Sequence, residues 1–315
     1  MTTLRAFAET EPRILLDCRN VLGESPVWDD RRNLLWWVDT MRGRIHWLAP
    51  DSGATGAHET GDTPGSIGLC DSGRLVVALR RTVILFDPDT GDRDTLADLA
   101  SLREDERLND GKVGPDGAFW VGALHETEIS RMQPASSLYR IAPDGSVTEK
   151  ITGLKVSNGL AWAPDGRTMF HSDSCAPWLD RWAFDPETGA MDRRSRIAEP
   201  DDETGRPDGA AADALGRYWS AGVSASRLNI WDRDGALLGS VPIPGCPKPT
   251  MPCFGGPDMR SVFVTGHRNQ MTPEVLATFP HAGSLFTFRA SVAGARVARF
   301  ADAAAKVGAQ GPART

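Results

Sequence analysis

The sequence predicts an all-β protein, a six-bladed β-propeller of four-stranded antiparallel blades. Three observations carry that expectation. The 315 residues include 32 Gly, 22 Pro and 10 Trp but almost no long amphipathic helical pattern, so many short strands and tight turns are required. A hairpin unit then recurs along the chain, and a second strand-and-turn unit follows each copy, which marks a repeat architecture.

The first unit is an apolar strand, an acidic or Gly turn and a second apolar strand. It reads SPVWDDRRNLLWWVD (25–39), IGLCDSGRLVVAL (67–79), DGKVGPDGAFWVG (110–122), NGLAWAPDGRTMFHSD (158–173), DGAAADALGRYWSA (208–221) and CFGGPDMRSVFVTG (253–266). Its turn glycines Gly73, Gly117, Gly166 and Gly216 are separated by 44, 49 and 50 residues, and Asp-Gly or Ser-Gly between apolar strands is a strong hairpin signal. The second unit reads RIHWLAPDSGA (44–54), TVILFDPDTGD (82–92), SLYRIAPDGS (137–146), LDRWAFDPETGA (179–190), RLNIWDRDGA (227–236) and SLFTFRASVAGA (284–295). Each is a third strand with its exit to a fourth. Six such units form a ring whose radial repetition protects the sheet edges. Because the first hairpin begins only near Glu24, the segment RILLDC (13–18) is expected to supply the outer strand of the last blade. One domain over 13–298 is expected, followed by a disordered tail over 299–315. A doubly wound α/β fold would need helical patterns between the strands, and a β-sandwich would not explain sixfold repetition.

Composition narrows the function. With 35 Lys plus Arg against 42 Asp plus Glu, the net charge is −7 and no basic run occurs, which disfavours nucleic acid or an anionic membrane as partner. No apolar stretch reaches membrane-spanning length and the first 15 residues lack a secretion signal, so a soluble cytoplasmic protein is expected. The five cysteines, Cys18, Cys70, Cys175, Cys246 and Cys253, are widely spaced without a CxxC pair and read as reduced thiols. GxSxG, GxGxxG and P-loop patterns are absent, against serine hydrolases and nucleotide cofactors. The tryptophans, Trp120 and Trp162 among them, read as packing between blades. The six histidines show no ligand spacing; His125 and His171 are candidates for a pocket rim.

In a propeller the inner strand of each blade lines the central channel, so polar residues at its start converge although they lie far apart in sequence. Those residues here are Glu24, Asn109, Asn158 and Asp208. Taken singly, Asn-Gly and Asp-Gly are turn formers. Their recurrence at one blade position, together with a Glu that is no turn former, points instead to an oxygen-donor site for a hard divalent cation.

The stretches LGESPVWDDRRNLLWWVD, RLNDGKVGPDGAFWVGAL, SNGLAWAPDGRTMFHSDS, RPDGAAADALGRYWSA and PCFGGPDMRSVFVTG span residues 22 to 266. In that order they resemble the gluconolactonase/regucalcin (senescence-marker protein) family of sugar lactonases, and AGSLFTF (282–288) extends the likeness. The resemblance implies one divalent cation in the channel, held by Glu24, Asn158 and Asp208. Calcium is the first choice, and zinc, manganese, magnesium or ferrous iron are also compatible. Arg107 and Asn109 become substrate contacts, with Glu126 the nearby acidic one. The sequence departs from the family pattern at Gly114, in the placement of His125, Glu126 and Glu128, and at Phe170-His171. The last two bear on which sugar is bound. The implied reaction is hydrolysis of an aldonolactone to the aldonic acid, with the metal as Lewis acid and a metal-associated water. Asp208 is the favoured base and Asp110 the reserve, since a coordinated carboxylate is a weak base. A sugar lactone is the expected partner of a monomer or weak homo-oligomer. A calcium-binding regulatory propeller without turnover, or a phosphotriester or ester hydrolase at the same metal site, stand as alternatives.

Overall fold

The computed structural model describes residues 4–302. They form six four-stranded antiparallel sheets, each one blade of a propeller. Strand β1 (Arg13–Leu16) comes first. Blade one is β2 (Gly23–Asp29), β3 (Leu34–Asp39), β4 (Arg44–Ala49) and β5 (Ala54–Glu59). Blade two is β6 (Ser66–Leu69), β7 (Leu75–Ala78), β8 (Thr82–Phe86) and β9 (Arg93–Asp98). Blade three is β10 (Glu106–Val113), β11 (Phe119–His125), β12 (Ser136–Ile141) and β13 (Val147–Leu154). Blade four is β14 (Ser157–Trp162), β15 (Thr168–Asp173), β16 (Trp178–Phe184) and β17 (Met191–Ala198). Blade five is β18 (Pro207–Ala212), β19 (Tyr218–Gly222), β20 (Arg227–Trp231) and β21 (Leu237–Pro242). Blade six is β22 (Pro249–Gly255), β23 (Ser261–Gly266) and β24 (Leu285–Arg289), completed at its outer edge by β1.

The first strand of each blade packs on the first strand of the next, and β22 packs on β2, so the ring is closed. These inner strands are buried along most of their length, whereas outer strands such as β5 and β9 are largely exposed. Blade six joins the two ends of the chain through β1 and β24, where Arg13 pairs with Thr287 and Ile14 with Phe286. The clasp expected over 13–18 is thus present, its strand ending at Leu16 so that Asp17 and Cys18 fall outside it.

Apolar faces of neighbouring blades meet in the core. Trp120, Trp162 and Phe184 stack edge to face between blades three and four, with ring centroids 5.5 to 6.1 Å apart. Buried carboxylates in the first turn of several blades pin these aromatics. Asp116 accepts from Trp120 Nε1 at 3.1 Å and Arg140 Nε at 2.7 Å. A Cβ at Gly114 would lie 2.5 Å from Asp116 Oδ1 and 2.8 Å from Trp120 Nε1, so the glycine is needed for this contact. Asp213 accepts from Trp219 Nε1 at 2.8 Å, Arg217 Nε at 2.6 Å and two backbone N–H groups. Asp213→Ala leaves those donors buried without their acceptor. We expect it to lower unfolding stability by about 3 kcal/mol, read from a urea melt; an unchanged midpoint would remove the pinning role.

Residues after β24 do not leave the body at once. Ala295 N–H donates to Ala212 O at 2.9 Å, Phe300 N–H to Leu69 O at 2.8 Å and Ala301 N–H to Gly117 O at 3.0 Å. Arg299 pairs with Asp29 and Asp30, and Asp302 with Arg74. This strap touches the far ends of inner strands and therefore crosses one mouth of the channel. Of the segment read as a tail, 299–302 are held in this way, and 303–315 lie outside the described residues. Among the described residues no helix is long and apolar enough to cross a membrane.

Candidate metal and substrate site

The sequence of the inner strands builds the site through a repeated irregularity. In five blades the pairing of the inner strand with its neighbour slips by one residue. The slips fall between Glu24 and Val27, Leu108 and Gly111, Asn158 and Ala161, Pro207 and Ala210, and Pro249 and Pro252. An extra residue of this kind bends a strand and re-aims its side chains. Blade two pairs continuously from Ser66 to Leu69 and supplies none of the candidate residues. Backbone in the left-handed region accompanies two slips, at Ser25 (φ 50°) and Gly159 (φ 66°).

The slip also corrects one expectation. Glu24 and Asn158 sit at the last pair before it, while Asn109 and Asp208 fall one residue later, so the four do not share a single register position. Within a bulge, adjacent residues can both turn toward the channel.

All four nevertheless line one cavity of about 180 Å³, with Ser174, Cys175, Arg206 and His267 also in its wall. Asn158 Nδ2 donates to Ser174 Oγ at 2.8 Å, and that hydroxyl donates to Pro207 O at 2.5 Å. Asn158 is thereby fixed with its Oδ1 buried and without a hydrogen-bond donor. Asp110 lies deeper, its Oδ2 accepting from Leu160 N–H at 3.1 Å while Oδ1 has no partner. Below it Lys112 Nζ donates to Ala210 O at 2.6 Å. A second, mostly apolar cavity of about 130 Å³ lies between Lys112 and the strap.

The electrostatics are those of crowded acids. Burial, then the Asp208 and Asp110 carboxylates, push the Glu24 carboxyl well above its usual range. Burial and Asp110 push Asp208 up to about 8, against the opposing pull of Arg206. Asp110 is raised by burial and partly restored by Lys112 and backbone N–H groups. Two carboxylates that resist ionisation beside an amide oxygen lacking a donor suit a divalent cation, which supplies the missing positive charge. Glu24, Asn158 and Asp208 can hold it. The donors are all oxygen, two from charged groups and one neutral; among the described residues no group of three or more His, Cys, Asp or Glu is arranged for a metal.

The other expected residues lie around this centre. Arg107 is buried, with Nη1 donating to Leu108 O at 3.0 Å and to Asn109 Oδ1 at 3.1 Å. Its Nε faces Glu126 Oε1 at 3.4 Å, and Arg80 holds the other oxygen of Glu126. Asn109 Nδ2 donates to Ser157 O at 3.1 Å. Arg107 and Glu126 form a layer beside the cavity and are not among the residues that line it.

Both histidines expected at the rim are elsewhere. His171 is fully buried, 2.8 Å from Ser157 Oγ and edge-on to Trp178, because strand alternation directs it into blade four. His125 pairs with Asp105 at 3.0 Å at the end of β11. His267, not singled out from its spacing, lines the cavity; it follows β23 as His125 closes β11, and that shared placement was the available signal. All five cysteines are unpaired, with the Cys175 thiol in the cavity wall raised by burial.

Known proteins resemble the chain along most of its length. A family model described as the SMP-30/Gluconolactonase/LRE-like region matches residues 22–268. A 6-deoxy-6-sulfogluconolactonase from Pseudomonas putida is 36% identical over 283 residues, covering 90% of this chain and 96% of that protein. Regucalcin from Gallus gallus is 33% identical over 271 residues, 84% of this chain and 89% of its own. The solved structure of a regucalcin from Agrobacterium tumefaciens, described as a calcium-binding protein, superposes with a TM-score of 0.86 at 26% identity, over 91% of this chain and 96% of that one.

Proposed function

The chain belongs to the SMP-30/gluconolactonase/LRE-like family, and from that premise we propose that it is a lactonase hydrolysing a sugar lactone to the aldonic acid with a divalent cation, calcium first, at Glu24, Asn158 and Asp208. The observation that carries the metal assignment is the orphaned Asn158 Oδ1 beside two carboxylates held above their usual range. A bound cation supplies Lewis acidity toward the ester carbonyl oxygen.

The chain's own groups supply the remainder. Asp208 accepts a proton from the attacking water and returns it to the ring oxygen as the C–O bond breaks. Because a cation held at this site would oppose the raised pKa of Asp208, orientation of the water is the larger part of its contribution. Asp110, deeper in the channel and beside Lys112, is the second proton acceptor. Asn109 keeps one N–H free of the Ser157 bond for a sugar hydroxyl. Arg107, braced by Glu126, holds Asn109 in place. Unpaired cysteines fit a reducing cytoplasm, and the protein acts as a monomer or weak homo-oligomer in this reading.

A pH-stat assay on gluconolactone, xylonolactone, arabinonolactone and galactonolactone tests the reading. We expect turnover of at least one of them to fall about 100-fold or more with chelator and to return with Ca2+. Turnover that ignores chelation would sink the metal assignment. Ca2+ binding with no lactone, ester or phosphotriester hydrolysis would favour a regulatory propeller.

A further inference from the structure

One part of the cavity wall is still unassigned, and its charge is opposite to that of the site. Arg206, immediately before β18, and His267, immediately after β23, line the cavity with Glu24 and Asp208. Lys248, immediately before β22, lies behind this lining: its backbone O accepts from His267 N–H at 3.1 Å, and its ammonium feels the Arg206 charge. Arg206 is held by its main chain, whose N–H donates to Ser224 Oγ at 2.9 Å. Among the described residues no carboxylate lies within ion-pair distance of either Arg206 or Lys248. Burial, then Lys248 and Arg206, hold the His267 imidazole down to about 4, so it is neutral, and its Nδ1 is buried without a partner.

The contrast with Arg107 is informative. That guanidinium is occupied by Glu126, Leu108 O and Asn109, so its charge is already balanced. Arg206 and Lys248 instead repel each other, and among the described residues neither is ion-paired; the acid that feels Arg206 is Asp208, whose charge a bound cation would take up, so this side keeps positive charge that an anionic substrate group can balance. Arg206 precedes Asp208 by two residues, so the guanidinium and the acid share one end of β18.

We propose that Arg206 and Lys248, with the free Nδ1 of His267 beside them, form an anion subsite that selects lactones bearing a negatively charged substituent at the end remote from the scissile ester. A sulfonate, a phosphate or a carboxylate shares the required chemistry, and a guanidinium can bind each through two parallel hydrogen bonds. The proposal rests on the lactonase reading and adds the substrate class to it.

The test compares kcat/KM of the Ca2+-loaded protein for gluconolactone with that for its 6-sulfonate and 6-phosphate counterparts and for glucarolactone, whose terminal group is a carboxylate. Wild type should prefer at least one anionic lactone by about tenfold or more, and the preferred arm identifies the substituent. Arg206→Gln should reduce the anionic-to-neutral ratio about 10- to 100-fold, mainly through KM, and Arg206→Lys should recover part of it. No charge preference in wild type, or equal loss on neutral and anionic lactones in Arg206→Gln, overturns the subsite. If no lactone is turned over, calorimetric binding of 6-phosphogluconate against gluconate decides separately. Tighter binding of the phosphate that Arg206→Gln abolishes keeps the subsite and removes only the lactonase reading, whereas equal binding of the two acids overturns the subsite.

Discussion

Glu24→Gln and Asp208→Asn are each expected to lower lactone turnover by about a thousandfold or more, and in chelator to melt at a higher temperature than wild type. The two effects have one origin. Burial and mutual repulsion oppose ionisation of both carboxylates in the folded protein, and a neutral amide of the same shape removes that opposition together with the charge that holds the cation. Relief of about 1 kcal/mol raises Tm by roughly 2–4 °C in a domain of this size. Calcium should stabilise wild type and leave the variants almost unmoved. Melting in chelator and in Ca2+, run beside the lactone assay, reads both effects. Near-native turnover in either variant means that the cation and substrate meet elsewhere. A fall in Tm in chelator would make the side chain a structural element.

The second large effect belongs to a residue with no side chain. Gly159 sits inside the blade-four bulge at φ 66°, and a Cβ there would lie 2.2 Å from Tyr218 Oη and 2.4 Å from Ser172 Oγ. Tyr218 Oη also donates to Gly159 O at 2.8 Å, so the tyrosine cannot withdraw without losing its bond. Gly159→Ala must push the bulge outward and carry Asn158 with it. We expect a loss of about 3 kcal/mol or more in a urea melt and a fall in kcat/KM of about 100-fold at saturating Ca2+, since a displacement near 1 Å is costly at a reacting centre. Wild-type stability in this variant would show that the bulge is free to relax. A stability loss without an activity loss would separate bulge geometry from ligand placement.

These two sites also mark what could be read in advance. Blades, clasp and converging carboxylates were visible because turn glycines, apolar alternation and Asp or Asn before an inner strand are local signals. A bulge is not local in that sense. It depends on which partner residue is skipped, so the one-residue offset between Asn158 and Asp208 and the regular pairing of blade two were hidden. His171 misled for the related reason that one step along a strand reverses the face. Arg206 and His267 lie just outside strand ends, where periodicity carries no information, and only the closed ring brings them together. Arg299 to Asp302 read as a polar end of chain, yet the carboxylates of Asp29 and Asp30 and the Arg74 guanidinium that hold them come from blades one and two.

The clasp and the strap together fix when this protein can mature. Residues 13–16 wait for 285–289, and the strap is held by residues as late as Asp302, so during synthesis at roughly 5–20 residues per second the first blades emerge with an unpaired flank exposed to solvent. Until 285–289 are made, β1 and β23 lack the partner that lies between them, and such open edges can pair with other chains, so the hazard of aggregation lasts until the sixth sheet is complete.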